Sequence, residues 1–375
     1  MLNRERFVYE TKNKVKLLAE KLKEEEKHII NINEFYEKID LEKLNQKYFN
    51  DDYENLSLIE FSKKIKPKFY YEKIKGTADT HWASNQLSKY KVLGIDTSEL
   101  LSTHIIPLFL VINVGIFYYD YSRTKYLEKN LPYFFSNYDH ELESLVKEEG
   151  LTKWSVDYLR LNCELEAIEE IIKEIDIDGV FVFFDESFSS SYLYSFGPNI
   201  RIKILLKIKD NLDTLIKYGI YPISVYYTLS KTFVLPLSKT FNVDLKNIND
   251  RKFFNCVLDE GERSPLFKLE SSLLKEAELN ICGFYVKLSK DNVIRVEFPE
   301  EIKDKVDSIH EVVYLQSAIG NGYPYCLQRA HEAAYMSDKD KIFILRYIND
   351  QLRKETKNYE LILTKKAERK IFRII

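Results

Sequence analysis

The sequence predicts a mixed α/β fold, a sheet of buried strands flanked by helices, and three observations carry that expectation. Apolar runs at Tyr90–Asp96, His104–Tyr119, Gly179–Phe184 and Tyr221–Thr228 alternate with helical-period segments near 153–173 and 203–218, in the order strand, strand, helix, strand, helix, strand. The composition is that of a packed globular chain, since 45% of the 375 residues are hydrophobic and 31% are charged. The 27 Tyr and 23 Phe against 11 Gly point to an aromatic interior with few tight glycine turns.

Taken in order, residues 4 to about 48 place Val15, Leu17, Leu18 and Leu22 at helical spacing, which predicts two helices with Lys21–Lys27 as a solvated face. From about 50 to 90 the pattern is irregular, and Pro67 and the segment Gly76–Trp82 read as a loop. An N-terminal helical extension over 1–88 is therefore expected before a main domain over 89–340, with a C-terminal helix and basic tail over 341–375. Leu100–Tyr119 holds no Asp, Glu, Lys or Arg across 20 residues, long enough to raise a membrane helix. His104, Pro107, Asn113 and Gly115 among Ile, Val, Phe and Tyr favour a buried strand instead. A hairpin is expected near 281–298 and helices near 303–316, 324–336 and 339–354, with no repeat or low-complexity tract.

Basic residues number 56 and acidic residues 59, a net charge of −3, which excludes a uniformly basic nucleic-acid coat but leaves room for a local basic groove. The cysteines at 163, 256, 282 and 326 form no CxxC pair, and no signal-like apolar segment opens the chain, so a reducing cytoplasm is expected.

Two carboxylates stand where buried strands emerge: Asp96 in Val92-Leu-Gly-Ile-Asp-Thr-Ser98, and Asp185 in Val180-Phe-Val-Phe-Phe-Asp-Glu-Ser187. Open α/β sheets build sites at strand ends, so two acids placed alike say more than either alone. Singly, each has a plain reading as a cap or turn residue. A third acid follows from helical geometry. Leu161, Leu165, Ile168, Ile171, Ile172 and Ile175 form one apolar stripe, and Glu164 falls on it while Glu166, Glu169 and Glu170 project elsewhere. A carboxylate on a buried face needs a partner, either Arg160 or a metal. Three carboxylates converging on one site would repel one another, so the set asks for Mg²⁺ or Mn²⁺. Late in the chain, Pro324 is placed to open a helix with Gln328, His331 and Tyr335 on one face. The preceding Gly320-Asn-Gly-Tyr turn, with Arg329 and His331 just beyond, favours a site facing a polyanion; by composition alone an ordinary surface histidine is as good a reading.

These residues resemble the NurA nuclease family over roughly 88–340. Gly94-Ile-Asp-Thr-Ser98 is similar to its first motif, an aspartate at a strand end usually followed by Gly-Ser, and Arg160-Leu-Asn-Cys-Glu-Leu-Glu-Ala167 to its second, with Glu164 in the metal-binding place. Val182-Phe-Phe-Asp-Glu-Ser187 is similar to its Asp-Gly-Ser motif, putting Asp185 third, and Gly322-Tyr-Pro-Tyr-Cys-Leu-Gln-Arg-Ala-His331 carries over Tyr323 and His331 as active-site residues. Thr97 and Glu186 stand where the family has small glycines. The resemblance implies an RNase H-like core and Mn²⁺-dependent cleavage of single-stranded DNA and duplex ends, 5′ to 3′, with single-strand endonuclease activity beside it. It further implies a homodimer that works with a hexameric HerA helicase in end resection and recombinational repair.

On that reading Asp96, Glu164, Asp185 and His331 hold the metal, the imidazole tilting the preference from Mg²⁺ towards Mn²⁺, and Tyr323 orients the phosphate or stacks on a base. Lys231 and Arg329 are the candidates for phosphate contact, with a plain surface charge as the competing reading of each. The tail Lys365–Ile375, five basic residues against one acidic, either grips DNA or packs as an amphipathic helix. Two other classes stand beside the nuclease: a catalytically silent helicase adaptor, which Thr97 and Glu186 would support, and an RNase H-like nuclease acting on RNA.

Overall fold

Apolar runs far apart in the chain pair into one nine-stranded sheet. The computed structural model describes residues 4–46, 55–67, 80–101, 105–106, 109–136, 153–189, 193, 196–356 and 362–363. In chain order they form α1 (Arg4–Lys38), a 3₁₀ turn (Leu41–Gln46), β1 (Asn55–Leu58), α2 (Thr80–Gln86), β2 (Lys91–Leu101), β3 (Ile105–Ile106), β4 (Phe109–Asp120) and β5 (Lys125–Ser136). Then follow α3 (Lys153–Ile171), β6 (Val180–Phe184), α4 (Pro198–Lys217), β7 (Tyr221–Tyr226), α5 (Val234–Phe241), α6 (Asp250–Val257), β8 (Phe267–Glu270) and α7 (Ser272–Glu276). The chain closes with β9 (Ile281–Ser289), β10 (Asn292–Pro299), α8 (Val306–Ile319), α9 (Tyr325–Ala334), α10 (Asp338–Thr356) and β11 (Ile362–Leu363).

The sheet order is β1-β8-β9-β10-β7-β6-β2-β4-β5, while β11 and β3 pair separately. Strands β2, β4 and β5 form an antiparallel meander, and β6 and β7 run parallel to β2 on its other side. Three antiparallel strands followed by two parallel to the first make the RNase H-like core that the family resemblance implied. β10, β9, β8 and β1 extend it by antiparallel pairing.

Each face of the sheet is covered by helices. One core gathers Leu93 and Ile95 of β2 with Leu159, Ile168 and Ile171 of α3 and Ile204, Leu212 and Leu215 of α4. The other joins Val92, Phe181 and Phe183 to Val312 and Leu315 of α8 and Leu327 and Ala330 of α9. Leu100–Tyr119 yields β4, in which every residue but Tyr119 is buried, and no helix among the described residues is long and apolar enough to cross a membrane.

Several elements differ from expectation for local reasons. The N-terminal segment forms the single helix α1 rather than two, followed by the 3₁₀ turn. Thr80–Trp82 opens α2 instead of lying in a loop, and the irregular stretch before it contributes the edge strand β1. Lys125–Ser136, which none of the expected elements covers, is β5: Leu127, Leu131, Tyr133 and Phe135 pack inward at period two, and an edge strand tolerates Pro132. Helices α5 to α7 and strand β8 are four to eight residues long, too short for periodicity to announce them. The basic tail Lys365–Ile375 lies outside the described residues.

Candidate active site

Strand register places the two aspartates. β2 and β6 pair Lys91 with Val180 through Gly94 with Phe183, an offset of 89, and Asp96 and Asp185 lie two residues beyond the last pair at that same offset, Asp185 just past the end of β6. Parallel neighbours lie about 4.8 Å apart, and equivalent positions share a face. Val92, Phe181 and Phe183 belong to the α9-side core, so Asp96 and Asp185 emerge on that side. Their neighbours alternate away: Ile95 and Glu186 turn towards α3.

Two glycines bring α9 down onto this face. A Cβ on Gly94 would lie 2.2 Å from the Cys326 carbonyl oxygen, and one on Gly115 2.2 Å from that of Ala330, so the helix backbone rests directly on β2 and β4. Its C-terminal end is fastened by Ser98 Oγ (2.5 Å) and Asn113 Nδ2 (2.8 Å), which donate to the otherwise unsatisfied Ala334 carbonyl. At its start, Gln328 Nε2 donates to the Gly320 carbonyl (2.6 Å) and the buried Gln316 accepts from the Cys326 amide (3.0 Å). His331, one turn from the fastened end, thus meets Asp96: Nδ1 lies 2.6 Å from Oδ2, while Asp96 Oδ1 accepts from the Thr97 amide at 2.8 Å. The imidazole is 72% exposed and the carboxyl 12%.

Glu164 arrives from the opposite layer. It is buried on α3 while Glu166 is exposed, in line with the stripe read from the sequence. Arg160, one turn earlier, bonds Glu164 Oε1 through Nη1 at 2.8 Å and Glu186 through Nη2, so of the two partners foreseen for Glu164 the arginine is in place. Removal from water pushes the Glu164 carboxyl up to about 7 against the pull of Arg160, with Glu186, Asp185 and Asp96 adding to the rise. Asp185 reaches solvent, yet the protein around it, then Asp96 and Glu186, push it up to about 6. Burial raises the Tyr323 phenol well above its ordinary value, with Asp185 and Asp96 reinforcing the shift, so the hydroxyl stays protonated at the mouth of the same site.

The loop bearing Asp185 is held by a residue that the sequence reading passed over. Glu297 on β10 is fully buried and accepts from Ser189 N and Ser187 Oγ (3.1 and 3.0 Å), Ser189 Oγ (3.1 Å) and Tyr226 Oη (2.7 Å), and it pairs with Arg295 at 2.8 Å. No motif marks it; only a Glu inside an apolar strand pattern hints that it has partners. The phosphate-contact candidates are engaged elsewhere. Lys231 Nζ bonds the Lys246 carbonyl, and Arg329 pairs with Glu128 and Glu332, each at 2.5 Å.

The donor set fits a hard divalent cation. Asp96, Asp185 and Glu164 offer oxygens and His331 offers nitrogen, and burial first, then the neighbouring carboxylates, raise Glu164 and Asp185 against the pull of Arg160, as a cation would relieve. Beside them lies a cavity of about 40 Å³, room for one or two waters, lined by Glu164, Asp185, Glu186 and Asn211, whose buried Oδ1 has no partner among the described residues. Among the described residues, no three such groups are already drawn together around an ion position, and Glu164 is paired with Arg160 instead.

The family model of the NurA domain matches residues 90–335. The chain belongs to the NurA nuclease family. Similar solved structures include the NurA nuclease from Sulfolobus solfataricus, 15% identical, with 91% of this chain and 98% of that one covered and a TM-score of 0.47. A NurA bound to dAMP and manganese is 9% identical over 70% of this chain and 88% of that one, TM-score 0.37. An endonuclease V from Bacillus subtilis is 11% identical over 76% of this chain and all of that one, TM-score 0.34. No curated protein matches. The segments that resemble the first and third NurA motifs thus bring Asp96 and Asp185 to neighbouring strands, and the one that resembles the fourth forms the helix whose His331 meets Asp96.

Proposed function

We propose that this NurA protein is a divalent-metal-dependent deoxyribonuclease, with residues 89–340 as its catalytic unit, and the observation that carries the reading is Asp96 and Asp185 lying as charged neighbours just beyond the β2–β6 pairing, with His331 docked on Asp96. Asp96, Asp185 and Glu164 are the carboxylates that would hold the metal, and the His331 imidazole favours Mn²⁺ over Mg²⁺. When bound, such an ion acidifies water and stabilises the departing oxygen of a phosphodiester. Asp96 fixes the His331 ring through Nδ1, so the one outward nitrogen either would meet the metal or, left free of it, would hold or pass a proton. Tyr323, kept protonated, donates to a phosphate oxygen. Arg160 holds Glu164 and Glu186 in place beside the site, and Glu297 fixes the loop on which Asp185 rides.

Cleavage of single strands and duplex ends with 5′ to 3′ polarity, homodimerisation and work beside a HerA-type helicase in end resection are proposed on family membership. A second reading has its own observation: the Glu164–Arg160–Glu186 bridge already supplies a positive charge, as a silent helicase adaptor would retain. End-labelled single- and double-stranded DNA incubated with Mn²⁺, Mg²⁺ or EDTA separates the two. Metal-dependent shortening by the wild type and none by Asp185→Asn is the nuclease outcome; DNA binding without cleavage under any condition is the adaptor outcome. A matched RNA strand tests the remaining class.

A further inference from the structure

Two residues beyond the level of Asp185, the sheet carries an aromatic feature that the catalytic reading does not use. β6 and β7 pair Phe184 with Ser224, so Asp185 is level with Val225 and Tyr227 lies two residues further out, about 6–7 Å along the strand direction. Val225 belongs to the α9-side core, so Tyr227 follows the face from which Asp96 and Asp185 emerge. There its ring stacks on Tyr323, with centroids 6.1 Å apart and planes at 20°. The Arg251 guanidinium lies 4.7 Å from the Tyr227 centroid, yet the tyrosine is 47% exposed. An aromatic residue that has found two partners and still faces water is a surface awaiting a third.

The arrangement is built rather than loose. Asp250, fully buried at the start of α6, accepts from the Phe233 amide (3.0 Å), the Val234 amide (2.8 Å) and Tyr285 Oη (2.7 Å), and Ser230 Oγ donates to it at 3.3 Å. One carboxylate therefore ties the segment after Tyr227 to the helix whose next residue is Arg251. On the other side, the Tyr323 turn is fixed by the Gly322 amide donating to the Ser317 carbonyl (2.7 Å) and by Asn292 Nδ2 donating to the Gly322 carbonyl (2.5 Å).

We propose that Tyr227, together with Tyr323 and Arg251, forms a nucleobase subsite that stacks an unpaired base of a single strand whose phosphate reaches Asp96 and Asp185. The proposal rests on the nuclease reading for its substrate. A duplex base offers no free face, so the subsite selects unpaired nucleotides, and stacking accepts any base, as an end-processing enzyme requires. Arg251 adds positive charge beside the strand.

The test is fluorescence anisotropy of a labelled 12-nucleotide single strand in EDTA, where hydrolysis is absent, for wild type, Tyr227→Ala and Tyr227→Trp. An equally long abasic deoxyribose-phosphate strand serves as the second probe. Wild type should bind the base-bearing strand more tightly than the abasic one. Tyr227→Ala should lose about tenfold or more on the first and nothing on the second, and Tyr227→Trp should retain wild-type affinity. In Mn²⁺, Tyr227→Ala should raise KM for the single strand with kcat little changed. Equal affinity of wild type and Tyr227→Ala for the base-bearing strand, equal loss on both strands, or failure of wild type to prefer bases overturns the subsite. Base-dependent binding without cleavage in any metal would instead leave the subsite standing and remove the nuclease reading.

Discussion

At the scale of single residues, the site is a contest between burial and charge. Asp185→Asn keeps the shape of the side chain and removes one ligand charge, and it is expected to lower cleavage on the order of a thousandfold with DNA affinity intact; gel assays of the purified variant beside wild type check it. The raised carboxyls give a pH signature. A proton held on Glu164 with a folded pKa of about 7 and an unfolded value near 4.5 makes the folded state the better proton acceptor, so its stabilising share is complete below about 4.5 and lost as pH rises through 7. Thermal unfolding in EDTA should therefore show Tm falling between about pH 4.5 and 7, a drop on the order of 3 kcal/mol for Glu164, and Glu164→Gln should flatten it. Excess Mn²⁺ should flatten it as well. Asp185 and Glu164 were legible because a strand end and a helical stripe are written in local pattern; Asp96 closes an apolar run, as read, but β2 continues past it to Leu101, so it sits mid-strand rather than at a strand end. Glu297 and the Arg160 bridge to Glu186 were not, since each depends on residues that meet only after the sheet has formed.

Among elements, α9 depends most on what is missing beneath it. Gly94→Ala or Gly115→Ala would drive a methyl into helix backbone that cannot rotate aside, and either should cost about 1–3 kcal/mol or more and part His331 from Asp96. The expected readout is lower Tm together with loss of the histidine's contribution to the pH–rate profile, beyond what a distant mutation of equal ΔΔG produces. Glu297→Ala, which leaves Ser187, Ser189, Tyr226 and Arg295 facing an empty buried place, should cost about 3–5 kcal/mol; unfolding in urea measures it. The helix itself could be read from Pro324 and the spacing of Gln328 and His331. That Gly94 and Gly115 were its seat could not, because a glycine in a strand looks the same whether it faces solvent or a backbone. β5 differs for another reason: its alternation was present, but Lys129 among the inward positions and Glu128 and Asn130 on the outward ones of an edge strand hid it.

On the scale of the molecule, the N-terminal region is stitched into the sheet. β1 covers the edge of β8, and Tyr36 of α1, fully buried, packs edge-on against Phe253 at 5.3 Å and Phe254 at 6.5 Å. Tyr36→Ala is expected to cost about 3–5 kcal/mol, read from Tm or urea midpoint, whereas trimming residues 1–20, whose Phe7, Val8, Tyr9, Leu17 and Leu18 are exposed, should leave the fold intact. The α/β class and the order of its first strands were visible along the chain, since each buried run is contiguous. The pairing of residues 55–58 with 267–270 was invisible, because a four-residue strand carries too little pattern to identify a partner two hundred positions away. The offset of 89 between Asp96 and Asp185 has a bearing on biosynthesis. A nascent chain emerging from the ribosome owns neither carboxylate in usable form until β6 has been made and has zipped in register beside β2, and His331 arrives about 150 residues later still, when α9 settles on its glycines. On the proposed reading the site is therefore complete only once α9 has been made and docked, so a chain halted before it carries an incomplete site.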